Sequence, residues 1–175
     1  MRGDDKLPPD LPDIIAPGLK IIFCGLNPGL SAAVGGHHFL NRSNRFWKVL
    51  HLSGLTPRQI DPREDRQILS YGYGLTAAVP RATVSAAELL RGEFAGSAKA
   101  LEKKIVKYRP RWLAFLGKAA YAEISGEKDL QWGEQASRFG GARVWVLPNP
   151  SGLNRNFSLP GLIEHYAALR EALTG

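Results

Sequence analysis

Apolar residues fall in short unbroken runs, separated by stretches of helical period. Ile21, Ile22, Phe23 and Cys24 follow Lys20 without a polar interruption and stop at Gly25. A run that short, with no alternation, predicts a strand covered on both faces. Tyr73 to Val79, Trp112 to Leu116 and Arg143 to Leu147 predict three more. The intervening segments have another rhythm. Asn44 to Leu52 sets Phe46, Trp47 and Leu50 on one side of a helix that Ser43 or Asn44 is placed to cap. Asp61 and Pro62 begin a helix that runs to about Ser70, with proline in the first turn where its missing N–H costs nothing. Ala98 to Tyr108 turns Leu101, Ile105 and Tyr108 to one face and four lysines elsewhere. Gly117 and Lys118 lead the third strand straight into a helix reaching about Ile124, and a last helix spans Leu159 to Leu173.

Strands alternating with helices predict an α/β fold, a three-layer αβα sandwich around a central, mostly parallel, four-stranded sheet. Residues 1–18 carry Pro8, Pro9, Pro12 and Pro17 among Asp and Gly, the composition of an extended, poorly ordered tail. That leaves 19–175 as a single domain. Ligands of such sheets bind beyond the C-terminal ends of the strands, so chemistry is expected in the residues that follow each strand.

Composition narrows the chemistry. The 175 residues suit one domain, and 44% hydrophobic residues suffice for a core. No apolar run is long enough to span a membrane and the N-terminus lacks a signal-peptide pattern, so cytoplasmic residence, near the nucleoid in a bacterial-type cell, is the expectation. One cysteine, Cys24, leaves no internal disulfide and no thiolate cluster for zinc or iron–sulfur. Histidines 37, 38, 51 and 165 show no ligand spacing, so neither a metal nor a cofactor is expected. The net charge is +7; residues 1–16 hold two basic and four acidic residues, which puts +9 on residues 17–175. A basic body fits either a polyanionic partner or a soluble protein of high pI.

Two loops carry the sharper signal. Gly25-Leu26-Asn27-Pro28-Gly29 follows the first strand, and Asn149-Pro150-Ser151-Gly152-Leu153-Asn154-Arg155 follows the last. The first lacks the spacing of a phosphate loop and by itself fits an ordinary strand-to-helix turn. In the second, Leu153 stands between small residues ahead of Arg155. It fits a wedge for a base stack, or a leucine folded back on the core.

Taken in order, Gly-Leu-Asn-Pro-Gly and Asn-Pro-Ser-Gly-Leu-x-Arg resemble the mismatch-specific uracil-DNA glycosylases, bacterial relatives of thymine-DNA glycosylase in the uracil-DNA glycosylase superfamily. Asn44-Arg45-Phe46-Trp47-Lys48-Val49, Gln131-Trp132-Gly133 and Val144-Trp145-Val146-Leu147-Pro148 are similar to that family too, and the likeness runs from Lys20 to Leu173. It implies a monofunctional, monomeric repair enzyme that flips uracil out of double-stranded DNA. The other mismatched or damaged pyrimidines implied are ethenocytosine and, weakly, thymine, all opposite guanine. The enzyme cuts the N-glycosidic bond and leaves an abasic site.

The resemblance also implies roles. Asn27 matches the catalytic asparagine, Phe39 the aromatic that stacks on the flipped base, and the backbone near Leu26 and Phe39 the groups that stabilise the departing anion. Asn149 and Ser151 are implied in substrate binding. Gly29 stands where fast uracil-specific relatives carry a tyrosine against the base 5-position, leaving room for substituents. Gly152, Leu153, Asn154 and Arg155 match the wedge and its contact with the widowed guanine, with Asn154 replacing the serine of close relatives.

A carboxamide cannot take a proton from water, so slow chemistry is expected. Asp65 is kept as an outside candidate for a supplementary acid, although Arg63-Glu64-Asp65-Arg66 reads first as a solvated helix face. The lysines of 99–107 read as solvated too, whereas Arg42, Arg45 and Arg81 are better placed for phosphate contacts. A small-molecule enzyme such as a nucleoside hydrolase would need metal-binding carboxylates, and no Asp cluster follows any strand. A non-catalytic lesion sensor stays open as the alternative.

Overall fold

The four apolar runs lie side by side. In a computed structural model that describes residues 10–174, β1 (Ile21–Gly25), β2 (Tyr73–Ala77), β3 (Trp112–Leu116) and β5 (Arg143–Leu147) pair in parallel. A fifth strand, β4 (Gly133–Glu134), pairs antiparallel with β5, and the order is β2-β1-β3-β5-β4. The expected four-stranded sheet thus has five strands. The fifth is two residues long and holds no apolar run that could have marked it.

The helices are α1 (Leu30–Gly35), α2 (Phe46–Leu52), α3 (Arg91–Tyr108), α4 (Lys118–Ser125) and α5 (Leu159–Thr174). Side chains alternate across the sheet, which gives two cores. Ile21 and Phe23 of β1 and Trp112 and Ala114 of β3 face α2 and α5, where Phe46, Leu50, Leu162 and Tyr166 are buried. Ile22, Cys24, Leu113 and Phe115 face α3 and α4, against Leu101, Ile105 and Tyr121. Cys24 is sealed there, and burial pushes its thiol pKa far up. Between α2 and β2 runs a helix of 3₁₀ type, Pro62–Tyr71, over nearly the span expected from the sequence. Asp61 caps it by accepting the Arg63 N–H at 2.9 Å. Likewise Asn44 Oδ1 accepts from the Phe46 N–H at 2.9 Å and starts α2. Helix α3 begins at Arg91, seven residues before the periodic stretch at Ala98.

Of the segment expected to be a tail, residues 1–9 lie outside the described residues, and residues 10–18 are held on the sheet. Ile14 exchanges two backbone hydrogen bonds with Leu75 (2.9 and 2.8 Å) and is buried. Asp13 accepts from the Thr76 hydroxyl at 2.8 Å and pairs with Lys104 at 2.5 Å. Gly74 makes the approach possible: a Cβ there would stand 2.7 Å from both the Ile14 carbonyl oxygen and Leu19 Cδ1. The apolar pair Ile14-Ile15 outweighs the surrounding prolines.

Candidate functional site

Strands β1 and β5 are separated in the sheet by β3 alone, so the two loops that follow them rise from the same edge. They border a cleft of about 640 Å³. Leu26, Asn27, Gly29, Phe39, Asn149, Ser151 and Leu153 all line it, so most of the residues singled out from the sequence are gathered around one space.

The first loop is held by the segment that leaves β2. Ala78 and Val79 donate to the carbonyls of Gly25 and Leu26 (2.8 and 2.9 Å). Thr83 N–H donates to the Pro28 carbonyl at 3.2 Å, and Leu30 N–H donates to that of Thr83 at 3.0 Å. The Asn27 carboxamide nitrogen donates to the Arg81 carbonyl and to Thr83 Oγ1, both at 2.8 Å. A carbonyl oxygen only accepts, so the NH2 must face Arg81, and the carboxamide oxygen takes the opposite corner. Thr83, whose hydroxyl passes its own proton to the Ser85 carbonyl at 2.9 Å, is a residue the sequence did not mark. It lies 56 positions from Asn27, beyond the reach of any local pattern.

Gly29 has an ordinary extended backbone (φ −67°, ψ 152°), and a Cβ there would meet nothing within 4 Å. This corner of the cleft is open. Phe39 forms another wall. Its ring packs on Phe46 at 4.2 Å between centroids, and its backbone is left-handed, φ 54°, which a bulky residue adopts only under constraint.

The second loop is stapled from inside. Asn149 Oδ1 accepts from the Ser151 N–H at 2.9 Å, and the Asn154 side-chain NH2 donates to the Asn149 carbonyl at 2.9 Å. The Asn154 side chain therefore closes the loop. Arg45, expected to bind phosphate, does not face outward: its guanidinium donates to the carbonyls of Phe157 (2.7 Å), Ser151 (3.0 Å), Asn154 (3.0 Å) and Pro150 (3.3 Å). Those partners are more than a hundred residues away in sequence. Tyr166, fully buried, donates to the Pro148 carbonyl at 3.1 Å. Gly152 lies directly on the turn at Ser43, where a Cβ would come within 2.6 Å of the Ser43 carbonyl oxygen. At the tip Leu153 is 71% exposed, so it has not folded back on the core. Arg155 is exposed and does not line the cleft.

Two other expectations change. Arg81 is exposed, but its guanidinium forks onto the Glu93 carboxylate at 2.7 and 3.0 Å, leaving less of it for phosphate. Asp65 is buried rather than on a solvated face, and it does not line the cleft. Its carboxylate accepts from the His38 backbone N–H at 2.9 Å and faces His37 Nδ1 at 3.2 Å. The 3₁₀ turn aims Asp65 inward, whereas the charge run around it looks uniformly solvated. The His38 ring is also buried, and its Nε2–H donates to the Pro12 carbonyl at 2.8 Å. Burial lowers its pKa, aided by His37 and opposed by the Pro12 bond, Asp65 and Asp13.

The sequence profile of the Uracil DNA glycosylase superfamily matches residues 12–173. The solution NMR structure of a candidate uracil DNA glycosylase from Methanosarcina acetivorans has a similar fold. The TM-score is 0.61 at 18% identity over 97% of this chain and 100% of that one.

Proposed function

The chain belongs to the Uracil DNA glycosylase superfamily, whose members are DNA glycosylases acting on DNA, and on that premise we propose that its cleft receives a pyrimidine flipped from a G·U or related mismatch and hydrolyses its N-glycosidic bond. The observation that carries this reading is the locked carboxamide of Asn27 on a cleft that also holds Phe39 and, at its mouth, exposed Leu153.

The bond to be cut joins C1′ of the sugar to N1 of the base. Its electron pair leaves with the pyrimidine, whose carbonyl oxygens take up negative charge. Water adds to C1′, and its proton ends on the released base or in solvent. With its NH2 engaged, Asn27 offers an oxygen that accepts from the attacking water and aligns it. Phe39 stacks on the base, and the backbone at Leu26 and Phe39 meets the developing charge. Asn149 has spent its oxygen on Ser151, which leaves it a donor for a base carbonyl. Open space at Gly29 admits 5-substituted and bulkier pyrimidines, the trait of the mismatch-specific subfamily. No lysine lines the cleft among the described residues, which favours hydrolysis over Schiff-base chemistry and a monofunctional enzyme. Leu153 fills the space the base vacates, because an unfilled gap would let it return.

The test is incubation with an end-labelled G·U duplex followed by alkali. Strand cleavage is expected, and Asn27→Ala should lower its single-turnover rate by roughly 10²–10³-fold with duplex binding little changed. A gel shift with no alkali-labile site would make the protein a lesion sensor and overturn the catalytic reading.

A further inference from the structure

Three separate parts of the chain converge on His38. Asp65, from the 3₁₀ helix, accepts its backbone N–H at 2.9 Å. The Trp47 indole N–H, from α2, donates to its carbonyl at 3.0 Å. The Pro12 carbonyl, from the N-terminal segment, accepts from ring Nε2–H at 2.8 Å. The bonds to Asp65 and Trp47 are buried and the bond to Pro12 is partly buried, although Pro12 itself is exposed.

The next residue is Phe39, whose φ of 54° is unfavourable for an aromatic side chain. Such a conformation persists only where the surroundings over-determine it. Here the residue before it has its N–H, its C=O and its ring each fixed to a different element. The Phe39 ring is thereby held against Phe46 at 4.2 Å and Trp47 at 6.3 Å and on the wall of the cleft. Nothing in this clamp touches the space where a base would sit except Phe39 and His38 themselves; Asp65, Trp47 and Pro12 do not line it.

We propose that Asp65 and His38 are positioning residues that preset the stacking wall. The triple tie of His38 to Asp65, Trp47 and Pro12 holds Phe39 left-handed before any base arrives, so the flipped pyrimidine meets a rigid ring and no ordering cost is left to the encounter. The inference rests on the reading of Phe39 as the stacking residue. It gives Asp65 a structural link to the site in place of a part in proton transfer, and it makes the N-terminal segment a component of base recognition through Pro12.

The test separates recognition of the base from binding of the backbone. Affinity is measured for two duplexes, one carrying non-cleavable 2′-fluoro-deoxyuridine opposite guanine, the other a tetrahydrofuran abasic analogue at the same place. Asp65→Ala and His38→Leu should each weaken binding to the uracil probe about tenfold, the loss expected when a preset ring relaxes to its ordinary backbone region. The abasic probe should be bound as before. His38→Gln, whose amide nitrogen can still reach the Pro12 carbonyl, should restore most of the loss. In a Phe39→Ala background neither substitution should have further effect on the uracil probe.

Equal losses on both probes, or full additivity with Phe39→Ala, would overturn the positioning role and leave general damage to the fold. A fall in single-turnover excision by Asp65→Ala with both affinities unchanged would overturn it in favour of a chemical role for the carboxylate. If Phe39→Ala alone left uracil-probe affinity untouched, the stacking reading itself would fail, and the clamp with it.

Discussion

Replacing Arg45 by methionine keeps the apolar stem of the side chain and removes the guanidinium and its donors. In the folded protein those donors meet the carbonyls of Pro150, Ser151, Asn154 and Phe157, three of them at 3.0 Å or less. A hydrogen bond from a charged donor contributes about 1.5–3 kcal/mol. The loop is partly exposed, so water recovers much of that, and the longest of the four bonds contributes least. A net loosening of about 3 kcal/mol is a reasonable upper figure, which converts to about a hundredfold fewer loops in the ordered state. Single-turnover excision from a G·U duplex should therefore fall by about 30- to 100-fold, and excision from single-stranded uracil much less, because no stack has to be opened there. The dependence of duplex affinity on salt decides between this and the alternative. A side chain committed to internal carbonyls neutralises no phosphate, so the log–log slope should stay as it was. A slope shallower by about 0.9, with excision otherwise intact, would mean that Arg45 touches the DNA backbone and that the staple argument is wrong.

Gly152→Ala should cripple duplex excision to a similar degree, since its Cβ would press to 2.6 Å on the Ser43 carbonyl oxygen; Gly29→Ala, with nothing within 4 Å, should leave the rate near normal in the same assay. Leu153→Ala should slow excision from duplex but not from single-stranded uracil and should shift stability by less than about 0.5 kcal/mol; a sharp drop in Tm would place Leu153 in the core. Stability should decline as pH falls below about 6.5. There the unfolded chain protonates His38 while the folded one, its pKa lowered by burial against the opposing pull of Asp65 and Asp13, resists. Thermal melts of His38→Gln should lose that part of the acid limb, and an identical limb would refute the assignment.

What the sequence disclosed follows from the range over which each feature is encoded. Buried strands are written locally, as runs such as Ile21 to Cys24 and Trp112 to Leu116, and each proved to be a strand. The two-residue β4 has no such run, and α1 hides among small residues ahead of Gly35 and Gly36. Gly92 and Gly96 lower helix propensity and so hide the first two turns of α3, although the helix passes through them. At the site, the two loops were legible because each is a contiguous motif. Their supports were not: Thr83 beneath Asn27, Arg45 inside the second loop and Asp65 behind Phe39 all act across the fold. Charge in particular misleads a one-dimensional reading. Arg45 and Asp65 are as polar as any residue of a wet surface, and both point inward, where backbone carbonyls satisfy Arg45 and the His38 N–H and the His37 ring meet Asp65.

The lone thiol has a practical consequence. Cys24 is sealed under the sheet and holds its proton firmly, so alkylating reagents will leave the native protein untouched. The wild-type chain is thus a silent background for chemistry aimed elsewhere. A single cysteine introduced at Arg155, exposed and beside the Leu153 tip, would be the one site to accept a maleimide dye or a spin label. A label there, at the cost of the Arg155 guanidinium, would report the tip's approach to DNA in real time, with no native cysteine removed to make way for it. Any slow uptake by the native protein would in turn clock the opening of its own interior.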